Sequence, residues 1–343
     1  MAESNGQCLC DRFASVTEAA ALAAADWAGR GDGLAGDLAA REAMAAQLAR
    51  LPFRARVVAS HGGHLKAGVL RVGDSVGGGP EARPEHSAES VGEDDRYEAL
   101  DVVVDPLEGH KVLAQGRDGA VAMLAAGPQG SIMAAPEMYM QKMIVAGQAA
   151  SAIDIDAPVG DNVKAVAAAL GRSPGDLNVV VLDRARHEDL IAEIKRAGAR
   201  LKLIDGGDAS AGLAAAFRGA GVDMYIGIGG STQGVITAAA LRCLGGEMQA
   251  RFWPVSRHQV EQIRASGMAD VEARLTARDM AGEGVLFAAT AVTGDRFLRG
   301  VEVCSDGTHT ETLVLCSRCH AVRVVKTIHR SDNRGPQVCL ETR

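Results

Sequence analysis

The chain has 343 residues, of which 47% are hydrophobic and only 3% aromatic, and its formal net charge is −7. That length supports two domains or one large α/β unit built around small aliphatic side chains. The acidic balance argues against nucleic acid as a partner, and no uncharged apolar run of about 18 residues or more is present to span a membrane.

Residues 14–27 read as a helix, capped by Ser15 or Thr17 with Glu18 in its first turn, and Gly29-Arg30-Gly31-Asp32 ends it. A second helix is expected over 37–51. Val57-Val58-Ala59 reads as a short buried strand leading into Ser60-His61-Gly62-Gly63-His64. Residues 77–95, with Gly77-Gly78-Gly79-Pro80, Pro84, Glu93, Asp94 and Asp95, read as a solvated loop. A strand over 100–104 ends abruptly at Asp105-Pro106-Leu107-Glu108-Gly109-His110; another covers 120–126, and Tyr139 follows on a helix or turn. Strand and helix then alternate, with helices at 162–170, 187–197, 209–217 and 234–244. The intervening and final strands fall at 177–182, 200–204, 224–228, 285–289, 311–315 and 322–328. This order implies a layered, partly parallel α/β fold with ligand sites at strand C-termini.

The strongest local pattern is Asp101-Val102-Val103-Val104-Asp105-Pro106-Leu107-Glu108-Gly109. A buried strand delivers Asp105 at its end, Pro106 stiffens the turn, and Gly109 permits a tight backbone path. Asp105 and Glu108 can converge on a hard divalent cation. The same pattern suits a strand–turn–helix junction with Asp as a cap, and the residues alone leave both readings open.

This segment resembles the strand followed by Asp-Pro-Ile/Leu-Glu-Gly-Thr in class II fructose-1,6-bisphosphatases. Other stretches along nearly the whole chain are similar in the same order. They are Val16–Ala23 with Trp27–Asp32, Ala135-Pro136-Glu137-Met138-Tyr139-Met140, Ala185-Arg186-His187 where the family has Pro-Arg-His, Tyr225–Gly230, Thr310–Leu313 and Ile328-His329. The resemblance implies the αβαβα sandwich of the lithium-sensitive phosphatases. It further implies a cytoplasmic homo-oligomer (dimer or tetramer) that hydrolyses a small sugar phosphate or bisphosphate, with no nucleic acid or membrane as partner. An N-terminal α/β domain at 1–155 is expected to carry the metal-site carboxylates. A second at 156–343 is expected to carry the residues that bind the substrate phosphate.

Carried over residue by residue, the resemblance makes Asp37, His61, Asp105, Glu108 and Gln233 the metal set. It makes His110, Asp105 and His61 the catalytic groups. Glu108, Gly109, Tyr139, Arg184, Arg186, His187 and Asp208 become the substrate contacts; arginine suits this role because it grips phosphate bidentately. Three departures stand out. Ser60-His61-Gly62-Gly63 replaces Gly-Glu-Gly-Glu and puts His61 at a metal-binding glutamate. His110 replaces a threonine that helps orient the attacking water, and Gln233 replaces a glutamate. Of the family's Asp-Gly-Asp substrate loop the first aspartate is absent from Gly206-Gly207-Asp208, although Asp205 adjoins it. Mn²⁺ or Mg²⁺ is the expected cofactor, and the imidazoles of His61, His64 and His110 also suit Zn²⁺ or Fe²⁺. The alternatives are a non-hydrolytic sugar-phosphate enzyme, of isomerase or lyase type, using His61 and His110, and a binding homologue without catalysis.

Seven cysteines, an odd number, with no leader-like segment ahead of them, read as reduced thiols. Cys316-x-x-Cys319-His320 has the spacing of half a zinc site, but no second pair follows it, and Cys304 is the nearest further cysteine. Cys8 and Cys10 fall in an N-terminal tail and read as inert.

Overall fold

The computed structural model describes residue 8 and residues 10–62, 68–78, 99–217, 219–295 and 297–330. Helices α1 (Cys10–Ala25) and α2 (Gly33–Leu48) precede β1 (Arg54–Ser60), β2 (Ser75–Gly77), β3 (Ala99–Glu108), α3 (His110–Ala114), β4 (Val121–Pro128) and β5 (Tyr139–Val145). Next come α4 (Val159–Ala169), β6 (Asn178–Leu182), α5 (Glu188–Arg196), β7 (Arg200–Ile204), α6 (Asp208–Ala216), β8 (Met224–Gly230) and α7 (Ser231–Leu244). The last elements are β9 (Glu247–Phe252), α8 (Arg257–Ala265), β10 (Leu275–Thr276), α9 (Ala277–Met280), β11 (Leu286–Ala291), β12 (Glu302–Cys304), β13 (Gly307–Cys316) and β14 (Ala321–His329).

The strands form two mixed sheets. The first runs β12-β13-β11-β4-β3-β1-β2, with β14 also on β13; the second runs β10-β9-β5-β8-β6-β7. β1 lies parallel to β3, and β6 parallel to β7 and β8, while the other main pairings are antiparallel. Strand β3 shows why the layers stack. Leu100, Val102 and Val104 face a core shared with α1 and α2, whereas Val103 faces a second core shared with α7. A strand covered on both faces reads as a continuous apolar run, as Val102-Val103-Val104 does. Helix α7 is buried from Ser231 to Leu241 because it lies between the sheets and touches strands of both; a helix apolar on every side belongs in such an interior. A third core joins the outer face of the second sheet to α4 and α5. The result is the expected αβαβα order.

Two expectations need correction. Residue 155 does not divide the sheets, because β5 joins the second sheet and β11 to β14 return to complete the first. Tyr139 opens a strand, β5, rather than a helix or turn. Of the expected 77–95 loop only Gly77 and Gly78 are described, Gly77 as the end of β2 against β1. His64 and most of that loop lie outside the described residues.

Candidate active site

Strand β3 does not stop at Val104. It continues to Glu108 through a bulge, with register shifting between Asp105 and Glu108 against β4. Pro106 lies inside the bulge, where a missing N–H removes no ladder bond. The irregularity turns both carboxylates off the sheet. Gly109 then takes a left-handed φ of 86° and starts α3, and an added Cβ there would press on Val112 and on the Gly119 carbonyl.

Asp105 is fully buried. Its Oδ2 accepts a 2.6 Å hydrogen bond from Nε2 of Gln233 on α7. Asp105 Oδ1 and Gln233 Oε1 are buried and have no hydrogen-bond partner among the described residues. Burial pushes the Asp105 carboxyl above its ordinary range, while His61 and the Gln233 amide work against that shift. Two buried oxygens left unsatisfied on one hydrogen-bonded pair are costly unless a cation uses them.

Glu108 has turned towards the N-terminus of α6. Its Oε1 accepts from the Ala209 amide at 2.9 Å, and its Oε2 accepts from the Ser210 hydroxyl at 3.0 Å. Burial, then the neighbouring Asp208 and Asp105, raise this carboxyl to about 8. Asp208 is held below its ordinary value despite burial, because Lys142 of β5 ion-pairs with it. Lys142 is 1% exposed and also donates to the Gly230 carbonyl at 2.9 Å. Glu108 and the Asp208–Lys142 pair therefore lock α6 to both sheets.

His61 follows β1 directly. Its Nδ1 stands 3.2 Å from Glu137 Oε1, which also accepts from the Gly62 amide at 2.9 Å. Burial opposes a charge on this ring, but Asp105, Glu137 and Asp37 outweigh it and raise His61 to about 9. Arg41 of α2, itself buried, donates to the Ser60 hydroxyl at 3.1 Å and to the His61 carbonyl, fixing this turn. Asp37 is buried on α2 and acts electrostatically on His61. His110 begins α3, half-buried, against the first turn of α2. There an added Cβ on Gly33 would lie 2.2 Å from the His110 carbonyl oxygen, so only glycine fits.

Among the expected substrate contacts, the Arg186 guanidinium lies 4.6 Å from the Tyr139 ring centroid and donates to the Ile228 carbonyl at 2.7 Å. Both side chains are exposed. Arg184 donates to the carbonyls of Asp183 and Asp205.

His187 departs from expectation. It is buried, its Nδ1 lies 2.7 Å from the Leu182 carbonyl, and its Nε2 accepts from the Ile228 amide at 2.8 Å. Both ring nitrogens serve the backbone, so His187 joins β6 to β8 and cannot grip a phosphate. Burial lowers its affinity for a proton. With a folded pKa below the unfolded value, its contribution to stability is complete above about pH 6.5 and is lost as the pH falls through the folded value. We expect the urea midpoint to drop between about pH 7 and pH 5. The His187→Gln variant, weaker at pH 7, should show a smaller drop over that interval; an identical pH dependence in both proteins would refute this assignment.

A cavity of about 460 Å³ opens beside Gly206, Gly207 and Ser210, next to Arg117 and Lys202. It contains none of Asp105, Tyr139 or Arg186. The buried charged groups around Asp105 thus lie outside this cavity.

The donor set fits a divalent cation in kind. Asp105 and Gln233 offer unsatisfied oxygens, Asp37 adds a buried carboxylate, and His61 carries its carboxylate partner on Nδ1, the arrangement that orients metal-binding imidazoles. No three of these acidic and imidazole groups bring ligand atoms within 4.8 Å of one another among the described residues, Glu108 being turned to α6. Sequence reasoning missed Glu137, Arg41 and Lys142. The one available signal was Lys142, a single charge inside the strand Tyr139-Met-Gln-Lys-Met-Ile-Val.

Residues 7–329 match the family described as bacterial fructose-1,6-bisphosphatase, glpX-encoded. The chain is 40% identical over 335 residues to a D-fructose 1,6-bisphosphatase class 2/sedoheptulose 1,7-bisphosphatase of Synechococcus sp. (strain JA-2-3B'a(2-13)), covering 94% of this chain and 95% of that one. Proteins of the same description from Synechocystis sp. and Gloeobacter violaceus are 35% and 36% identical, covering 93% and 92% of this chain and 95% and 94% of theirs.

Proposed function

The chain belongs to the bacterial glpX-encoded fructose-1,6-bisphosphatase family, and we propose that it hydrolyses one phosphate ester of a sugar bisphosphate, fructose 1,6-bisphosphate or sedoheptulose 1,7-bisphosphate, with a divalent metal. The single observation that carries this reading is the buried Asp105, paired to Gln233 on one oxygen and unsatisfied on the other among the described residues. Asp37, Asp105 and Gln233 would hold the ion, with His61 contributing its second ring nitrogen once the ion displaces the proton there. Bound there, such an ion would neutralise phosphate charge and acidify a water molecule.

The protein's own groups do the rest. Gln233 fixes the Asp105 carboxylate, Glu137 orients the His61 ring through Nδ1, and His110 stands where the family has a water-orienting threonine. Asp208, anchored by Lys142, remains a candidate hydroxyl contact. The mixed oxygen and nitrogen donor set, one carboxylate poorer at Gln233, favours Mn²⁺ over Mg²⁺. Among the described residues no helix is long and apolar enough to cross a membrane, and we place the activity in the cytoplasm. A homo-oligomer is expected; the exposed Val303, Val322 and Val324 on β12 and β14 favour that side as the contact face.

The second phosphate is assigned to Arg186, with Tyr139 beneath its guanidinium and Arg184 alongside. A charge-assisted hydrogen bond contributes about 1.5–3 kcal/mol, so Arg186→Ala should raise KM for the bisphosphate on the order of 10- to 100-fold with a smaller change in kcat. The test is phosphate release from both bisphosphates and from sugar monophosphates. The wild type should prefer the bisphosphates, and Arg186→Ala should narrow that preference. An unaltered KM would remove Arg186 from the substrate site.

A further inference from the structure

Apart from these groups, the fold gathers four cysteines that lie at opposite ends of the sequence. Cys8 and Cys10 flank the start of α1, Cys316 ends β13, and Cys319 sits in the turn to β14. Their four sulfur atoms lie within 4.8 Å of one another. Cys8 Sγ is 3.6 Å from Cys316 Sγ, and Cys10 Sγ is 3.8 Å from Cys319 Sγ. Four thiolates about 2.3 Å from one tetrahedral zinc ion are separated from each other by roughly 3.8 Å. The cluster thus already has the dimensions of a Cys₄ zinc site.

The backbone is arranged for thiolates as well. Amides of Arg318 and Cys319 point at the Cys316 sulfur, and the Ala321 amide points at the Cys319 sulfur. His320 takes a left-handed φ of 53°, an uncommon conformation for a residue with a side chain, and this turns the chain around Cys319. Arg323 approaches Cys10 Sγ at 3.5 Å, placing positive charge beside a cluster that would carry two negative charges once metallated. Cys10 and Cys316 are fully buried, so the cluster's inner half is shielded from solvent.

We propose that Cys8, Cys10, Cys316 and Cys319 bind one structural zinc ion that fastens the start of α1 to the β13–β14 hairpin. All four positions are filled by sulfur, so no coordination site is left open for catalysis. The clip continues a polar seam along α1, where Thr17 meets Thr290 at 2.7 Å and Glu18 accepts from Thr327 at 2.7 Å. It holds the helix that covers one face of the first sheet.

The test is elemental analysis of the full chain, prepared with zinc and then dialysed, together with zinc-edge X-ray absorption. We expect about one zinc per chain with four sulfur neighbours at about 2.3 Å. The zinc should persist in Asp105→Asn, altered only at the other site, and fall to background in Cys10→Ser/Cys319→Ser. Absorption on the wild type decides the matter even if that double variant fails to fold. Background zinc in the wild type, iron in its place, a shell dominated by nitrogen or oxygen, or a mass short of four hydrogens from two disulfides would each overturn the proposal.

Discussion

Asp105→Asn should lower phosphate release by about 10³-fold, the upper end of the loss seen when one preorganised charge-stabilising group is removed, while leaving the metal-free protein at least as stable as the wild type. The two halves of this result come from one physical fact. Asp105 is fully buried, and its carboxylate ionises against the cost of burial. Asparagine keeps the shape and an oxygen for the Gln233 amide, so it removes a buried charge without opening a cavity. What it removes is the negative oxygen that makes Oδ1 a cation ligand. Phosphate assays alongside calorimetry in chelator would separate these effects. Lost activity with a lowered melting temperature would mean that Asp105 is a structural group. Retained activity would remove it from the metal site.

Lys142→Met should destabilise the protein by about 3–5 kcal/mol, because it strands Asp208 as an unpaired buried charge. Both side chains are well shielded, Lys142 at 1% and Asp208 at 10% exposed, so solvent screens the pair little. Asp208 also belongs to the α6 turn that receives Glu108, and the variant should lose activity as that turn loosens. Adding Asp208→Asn removes the orphaned charge and should recover most of the stability in urea unfolding. If the double variant is no more stable than the single one, the penalty is lost packing rather than lost pairing.

Much of this site was legible along the chain because its signals are local. The β-branched run ending in Asp105-Pro106-Leu107-Glu108-Gly109 announces a strand end with two carboxylates; the alternation of elements implies a layered α/β fold, and the αβαβα order comes from the family resemblance. What was not legible depends on contacts across many residues. Glu137 reaches His61 over 76 residues, and Lys142 reaches Asp208 over 66. His187 reads as part of a basic cluster with Arg184 and Arg186, yet backbone groups on β6 and β8 take both its nitrogens. Neither the return of β11 to β14 to the first sheet nor the meeting of Cys8 with Cys316, 308 residues away, has any local signature. Spacing rules for zinc sites see only the Cys316-x-x-Cys319 half; the other half is supplied by folding.

The altered positions His61, His110 and Gln233 bear on whether water or some other group reacts with the substrate. The most direct measurement strips the protein with chelator, adds fructose 1,6-bisphosphate, and follows bisphosphate, sugar monophosphate and inorganic phosphate together as Mn²⁺ is restored. Metal-dependent hydrolysis predicts no turnover without metal, and with Mn²⁺ one inorganic phosphate released for each bisphosphate consumed. Bisphosphate consumed without phosphate release would contradict hydrolysis and point to isomerase or lyase chemistry at the histidines. No consumption with Mn²⁺, Mg²⁺, Zn²⁺ or Fe²⁺ would leave a sugar-phosphate-binding protein without catalysis.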